Sequence, residues 1–132
     1  MAMRPGKPVK LGQIGRALFA GLPGNPNAAL AGLRYIVLPT LRRMAGLREF
    51  ETRWLPAVAA TSYPKKADRT EFVPFKTIGQ TPEGLPQIEF LVRGSSASLS
   101  AIAAADGIAK LPASATTIDV DSSIGVDFFR RR

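Results

Sequence analysis

The chain has 132 residues, of which 45% are apolar and 21% charged, and 18 basic against 10 acidic side chains give a net charge of +8. It contains neither cysteine nor histidine, which excludes disulfides, thiolate or imidazole metal sites, and every nucleophilic mechanism that needs a Cys–His or Ser–His pair. No apolar run approaches the ~18 residues of a membrane-spanning helix, and the opening residues lack the apolar core of a secretion signal, so a cytoplasmic protein without a membrane association is expected.

The charge excess is not spread evenly. Residues 1–48 hold eight basic side chains and no carboxylate, whereas residues 49–132 hold ten of each sign. The whole excess therefore belongs to the first third, which suits an anionic partner; Arg42, Arg43 and Arg48 fit equally well the solvated face of a helix. In chain order, Arg4-Pro5-Gly6-Lys7-Pro8 reads as a stiff turn. Ala17 to Leu22 is a short apolar run expected to form a buried strand. Pro23-Gly24-Asn25-Pro26 follows, with Asn25 as helix N-cap and Pro26 in the first turn, where its missing N–H costs nothing. Leu30, Leu33, Val37, Leu41 and Met44 recur at helical spacing; Pro39 should kink that helix and Gly46 should end it. A lone strand–loop–helix unit cannot bury its own apolar stripe. Residues 1–48 are therefore expected to be the end of an α/β domain whose other strands lie upstream.

Beyond residue 48 the composition changes to short β-like runs punctuated by Pro, Gly and Ser. Strands are expected at residues 54–62, 71–78, 87–92, 107–111, 116–120 and 125–129. Ile88, Phe90 and Val92 alternate with Glu89, Leu91 and Arg93, and Ile118 and Val120 with Asp119 and Asp121. Six short strands in residues 49–132 predict a small all-β barrel or sandwich. The fold class expected overall is mixed: the C-terminal end of an α/β domain followed by a barrel-like β domain.

Two motifs carry possible chemistry. The Gly21-Leu22-Pro23-Gly24-Asn25-Pro26 loop joins a strand to a helix, at the end of a sheet where ligands usually bind. Helix N-terminal N–H groups beyond it would favour an anion; an ordinary capped turn explains the same residues. The Arg4 to Lys7 turn sets two cations three residues apart, a possible clamp for a phosphate or oxyanion, although most such turns are plain surface loops.

Taken in order, the basic turn, the Gly-Leu-Pro-Gly-Asn-Pro loop and the helix with its late proline and glycine resemble the MoeA/gephyrin E-domain family. Arg69-Thr70-Glu71-Phe72 resembles that family's Arg-x-Glu-Phe. The stretch from Gly94-Ser95-Ser96-Ala97-Ser98-Leu99-Ser100 through Ala105-Asp106-Gly107-Ile108 to Leu111-Pro112 resembles its Gly-Ser…Leu-Ser-Ser…Ala-Asp-Gly…Leu-Pro run. The resemblance spans nearly the whole chain. It implies a role in molybdenum cofactor biosynthesis: insertion of molybdenum from molybdate into adenylylated molybdopterin (molybdopterin-AMP) with release of AMP, in a homodimer that uses Mg²⁺.

The resemblance also implies site residues. Arg4 and Lys7, with Gly6 between them, match the basic pair that handles the anionic substrate. Pro23, Gly24, Asn25 and Pro26 match the loop lining the pterin and metal site. Arg69 and one of Ser96, Ser98 and Ser100 match oxyanion-binding positions. Two or three cations with a hydroxyl suit a molybdate dianion. Arg4 stands where lysine is common, and Ala28 offers no hydroxyl where the family often has serine. Residues 1–48 contain no carboxylate, so the Mg²⁺ ligands are expected upstream and the chain alone is expected to be inactive. Two other readings are a basic nucleic-acid-binding barrel, disfavoured by the neutral charge of the β segment, and a gephyrin-like scaffold domain, for which no peptide groove is encoded.

Overall fold

The computed structural model describes residues 10–22, 24–65, 68–91 and 99–130, together with the backbone of Met3–Arg4. Its centre is a closed five-stranded barrel. Strands β4 (Leu55–Ala59), β6 (Thr70–Gln80), β7 (Pro86–Phe90), β8 (Gly107–Leu111) and β10 (Ser123–Phe128) follow the order β6-β7-β4-β10-β8, and β8 returns to β6. The long β6 makes closure possible: its residues 71–75 pair with β8 and its residues 75–80 with β7. Pro74 sits where the strand changes neighbour. Its carbonyl accepts from the Leu91 N–H, past the end of β7, so its missing N–H empties no rung of either ladder.

Alternation fills the barrel. Ala57, Ala59, Val73, Phe75, Ile88, Ala109, Leu111 and Val126 point inward and are buried. Three alanines, Ala57, Ala59 and Ala109, share the interior with Phe75 and Leu111, and such a mixture of small and large side chains suits a narrow barrel. Five of the six expected strands are wall strands. The sixth, expected at residues 116–120, is only β9 (Thr117–Ile118), which pairs outside the barrel with β5 (Tyr63–Pro64). Ile118 is buried but Val120 is 53% exposed, because Asp121 turns the chain with a left-handed φ of 71° and donates its N–H to Ala59 O. A short α3 (Leu99–Ala104) lies in the small-residue stretch where no element was expected.

Before the barrel, β2 (Lys10–Ile14) and β3 (Ala17–Gly21) form a hairpin across Gly15-Arg16. β3 is a strand as expected, but it is not buried: Phe19 and Leu22 are exposed, as are Leu11 and Ile14 on β2. Phe19 lies across from Gly12 and covers the space a side chain there would need. Helix α1 (Pro26–Gly32) continues through a π-helical turn (Leu33–Val37) into α2 (Leu38–Met44). The π turn is how the helix accommodates Pro39: the Leu38 N–H reaches back to Leu33 O, widening the turn ahead of the proline ring. Gly46, with φ of +81°, ends the helix as expected, and Gly46 and Leu47 N–H groups close on Arg43 and Arg42 carbonyls.

The face that the helix buries differs from the expected stripe. Leu33, Leu41 and Met44 are exposed, whereas Ala28 and Ala31 are fully buried and Tyr35 and Ile36 pack with Phe72 and Ile108 of the barrel. Small residues let the helix approach β6 and β8 closely, and Tyr35, Trp54 and Phe72 fill the remaining gap with ring centroids 4.8–6.1 Å apart.

One glycine is required by closure itself. A Cβ on Gly107 would overlap the Asp127 carbonyl of β10, so only glycine lets β8 and β10 pair here. We predict that Gly107→Ala lowers stability by about 3 kcal/mol, read from the urea unfolding midpoint; a midpoint equal to the parent's would show that closure does not depend on this contact.

Candidate functional site

The loop ahead of α1 is held by its own cap. Asn25 is extended (φ −69°, ψ 127°), and its side-chain oxygen accepts the N–H groups of Asn27 at 3.0 Å and Ala28 at 3.1 Å. The Ala29 N–H bonds to Asn25 O, and Pro26 has no N–H. The free helix N–H groups expected from the sequence are therefore not free: Asn25 takes them. What the loop still offers an anion is the positive end of the helix dipole and space at Gly24, where among the described residues no atom lies within 4 Å of a Cβ position.

The residue that fastens this loop to the barrel is Asn27. It is 3% exposed, and its Nδ2 donates to Phe72 O on β6 at 3.1 Å, while its Oδ1 has no partner among the described residues. Sequence reasoning missed it; the signal was the second asparagine of Asn25-Pro26-Asn27. The tether brings the loop beside the start of β6, one residue after Arg69, whose side chain is exposed. On the edge of the same strand, the backbone of β1 (Met3–Arg4) runs parallel, with Met3 opposite Thr70 and Arg4 opposite Glu71. Ser100 is exposed in the first turn of α3, which contacts both α1 and β6. Gly24, Asn25, Pro26, Arg69 and the backbone of Arg4 thus belong to segments that meet at the start of β6, whereas α3, which carries Ser100, contacts α1 and reaches β6 near its middle, where Lys76 Nζ donates to Ala104 O. Gly6, Lys7, Pro23, Ser96 and Ser98 lie outside the described residues.

Other motif positions are structural. Glu71 is buried and accepts a hydrogen bond from the Tyr63 hydroxyl at 3.3 Å, so it stabilises the barrel wall beside Arg69. The Asp106 carboxylate accepts the Thr77 N–H at 2.8 Å, its backbone N–H donates to Phe75 O, and its carbonyl accepts from the Phe129 N–H. Among the described residues no three acidic side chains gather into a metal site, so the Mg²⁺ that the family resemblance implies finds no ligand set here. The barrel aromatics Tyr63, Phe72 and Phe75 are buried, and Phe19 on the hairpin is the one exposed aromatic among the described residues. A nucleic-acid-binding barrel needs exposed stacking platforms, and among the described residues no aromatic of the barrel strands is fully exposed.

Further along the helix, one carboxylate oxygen joins helix and barrel. Asp127 Oδ2 of β10 accepts from Arg34 Nη2 at 2.7 Å, Arg34 Nε at 3.0 Å and the Tyr35 hydroxyl at 2.9 Å. Burial first, and then the adjacent Asp127 carboxylate, push the Tyr35 phenol far above its ordinary range. For Arg34, burial pulls the pKa down, but the hydrogen bond and charge of Asp127 outweigh it and leave it raised. The helix is thereby fixed to the barrel at two points, by Asn27 in its first turn and by Arg34 with Tyr35 in the π turn.

Residues 56–126 match the family model for the MoeA C-terminal region (domain IV). The chain belongs to this family. Over 73 residues, 54% of the chain, it is 33% identical to a molybdopterin molybdenumtransferase from Haemophilus influenzae, of which it covers 18%. Its fold also matches the crystal structure of a molybdopterin biosynthesis MoeA protein from Pyrococcus horikosii. There the TM-score is 0.75 and the identity 27%, over 99% of this chain and 31% of that one. A molybdenum cofactor biosynthesis protein from Pyrococcus furiosus shares the fold at TM-score 0.70 and 19% identity, over 97% of this chain and 43% of that one. The chain spans less than half the length of each of these relatives. The domain IV barrel is the part on which family model and fold agree, and the site lies where the helix meets it.

Two outcomes test the helix–barrel junction. Asp127→Ala should cost about 2–3 kcal/mol, because it strips charged hydrogen bonds from a half-buried guanidinium and a phenol; denaturant unfolding within 0.5 kcal/mol of the parent, roughly the scatter of surface substitutions, would remove the junction from the account. Tyr35 supplies a pH signature. An unfolded tyrosine ionises near pH ~10, whereas folded Tyr35 holds its proton, so its contribution is complete below that pH and lost as pH rises above it. The urea midpoint of the parent should therefore fall more steeply above about pH 10 than that of Tyr35→Phe; equal slopes would contradict the assignment.

Proposed function

We propose that this chain forms one wall of an oxyanion-handling site in a molybdopterin molybdenumtransferase, the enzyme that places molybdenum from molybdate into adenylylated molybdopterin and releases AMP. The observation that carries the reading is the Asn27 tether, which fastens the Gly24–Pro26 loop to β6 three residues beyond Arg69. In this reading Arg69, Arg4 and Lys7 supply charge to a molybdate dianion. One hydroxyl of Ser96, Ser98 and Ser100 donates to the same oxygens, and the Pro23–Pro26 loop with Gly6 lines the pterin side. Charge-assisted donors bind an oxyanion without any soft ligand. Among the described residues no set of acidic side chains gathers to hold Mg²⁺.

Residues 1–48 then belong to a molybdopterin-binding α/β layer and residues 49–132 to the domain IV unit. The exposed apolar side chains of the hairpin and helix, Ile14, Phe19, Leu41 and Met44 among them, are where the rest of that layer packs. Activity requires the whole enzyme, acting in the cytoplasm as a homodimer, and this chain alone releases no AMP.

The test is a chimera in which residues 1–132 replace the corresponding C-terminal region of the Haemophilus influenzae relative. It should retain molybdate-dependent AMP release, and Arg69→Ala within it should lower that rate by roughly ten- to a hundredfold, the worth of a charged hydrogen bond. Arg69 is exposed, so the unfolding midpoint should not move. An Arg69→Ala rate equal to the parent chimera's would end the reading, as would AMP release by the isolated chain.

A further inference from the structure

A second cluster of cations lies away from the start of β6. A cavity of about 530 Å³ opens between the π turn and α2, the segment 51–55 that leads into β4, and the end of β10. Four guanidinium groups line it, from Arg34, Arg42, Arg53 and Arg130. Arg34 is neutralised by Asp127, and this is the one ion pair among the described residues. Arg42, Arg53 and Arg130 are exposed and form no ion pair among the described residues, and Glu51 is the one other acid on the wall. Three unpaired guanidinium groups against one carboxylate leave an excess of two positive charges in a single cleft. They come from three separate stretches of chain, so the grouping is a product of the fold and not of a local run of arginines. Such convergence raises the local potential and concentrates anions.

Apolar surface lies between the charges. Leu38, Leu55, Phe128 and Phe129 share the same wall, and Phe129 already carries Arg34 over its ring at 5.3 Å. Guanidinium forks match the oxygens of a phosphate in pairs. A cleft that combines them with aliphatic and aromatic side chains selects a ligand with both parts. We propose that this cavity binds a phosphomonoester of an apolar or aromatic alcohol, with the phosphate between Arg53 and Arg130, reached also by Arg42, and the body against Leu55 and Phe129. None of these residues belongs to the oxyanion wall described above, and the assignment stands whether or not that reading holds.

Phenyl phosphate is the probe, titrated into the isotopically labelled full chain at low salt. It should shift the amide signals of Thr52–Leu55 and Asp127–Arg130 saturably, and bind at least about fivefold more tightly than inorganic phosphate, since ring burial adds an apolar contribution. The double variant Arg53→Gln/Arg130→Gln, whose side chains are exposed, should keep the parent's unfolding midpoint yet bind roughly tenfold or more weakly, for the loss of two charged donors. Equal affinity in the double variant overturns the proposal. So do shifts confined to the start of β6, or inorganic phosphate binding as well as the ester.

Discussion

The arrangement depends on a single carboxylate oxygen. Asp127 Oδ2 holds both donors of Arg34 and the hydroxyl of Tyr35, and no other side-chain bond ties the middle of the helix to the barrel among the described residues. A guanidinium and a phenol converging on one oxygen leave little freedom in how the helix lies. The residue carrying that oxygen is itself placed by a backbone constraint, because its carbonyl passes Gly107 too closely for any Cβ. Barrel closure, the position of Asp127 and the angle of the helix are therefore linked. A change in how β8 meets β10 would be felt at Arg34.

The consequence for the site is geometric. The loop at the head of α1 contributes through where it sits more than through the donors it exposes, since Asn25 consumes the first-turn N–H groups. Its place is fixed by Asn27 in the first turn of the helix and by Arg34 and Tyr35 in the π turn at its middle. A rigid lever with two anchors keeps the loop in register with β6 and hence with Arg69. The Oδ1 of Asn27 is buried and has no hydrogen-bond partner among the described residues.

Much of the barrel could be read from the sequence because its pattern has period two and its turns carry Gly and Asp signals. β8 coincides with the expected residues 107–111, and β4, β6, β7 and β10 overlap their expected ranges. The failures have physical reasons. Residues 116–120 alternate like a strand, but Asp121 adopts a left-handed turn that alternation does not encode. The helix buries a different face from most of its stripe of large apolar residues, because small side chains fit closest to the barrel: Ala31 packs with Phe72 and Ile108 and Ala28 is fully buried, while Leu33, Leu41 and Met44 face outward. The family motifs located the start of β6. They did not reveal that Glu71 and Asp106 are there to hydrogen-bond the wall, nor that Asn27 is the tether, since each acts on a partner distant in sequence.

Charge tells the same story of convergence. Eight cations without a carboxylate in residues 1–48 suggest one anion-attracting patch, yet the fold divides them. Arg34 is spent on Asp127, and Arg43 lies over the Phe50 ring at 5.5 Å. Arg42 turns to the cleft it shares with Arg53 and Arg130. Two of the three guanidinium groups in that cleft that form no ion pair among the described residues come from residues 49–132, whose net charge is zero, so composition by segment could not have found it. Neutrality of a segment is an average over surfaces that face different ways. What an anion meets is set by the few side chains that the helix–barrel junction turns toward one another.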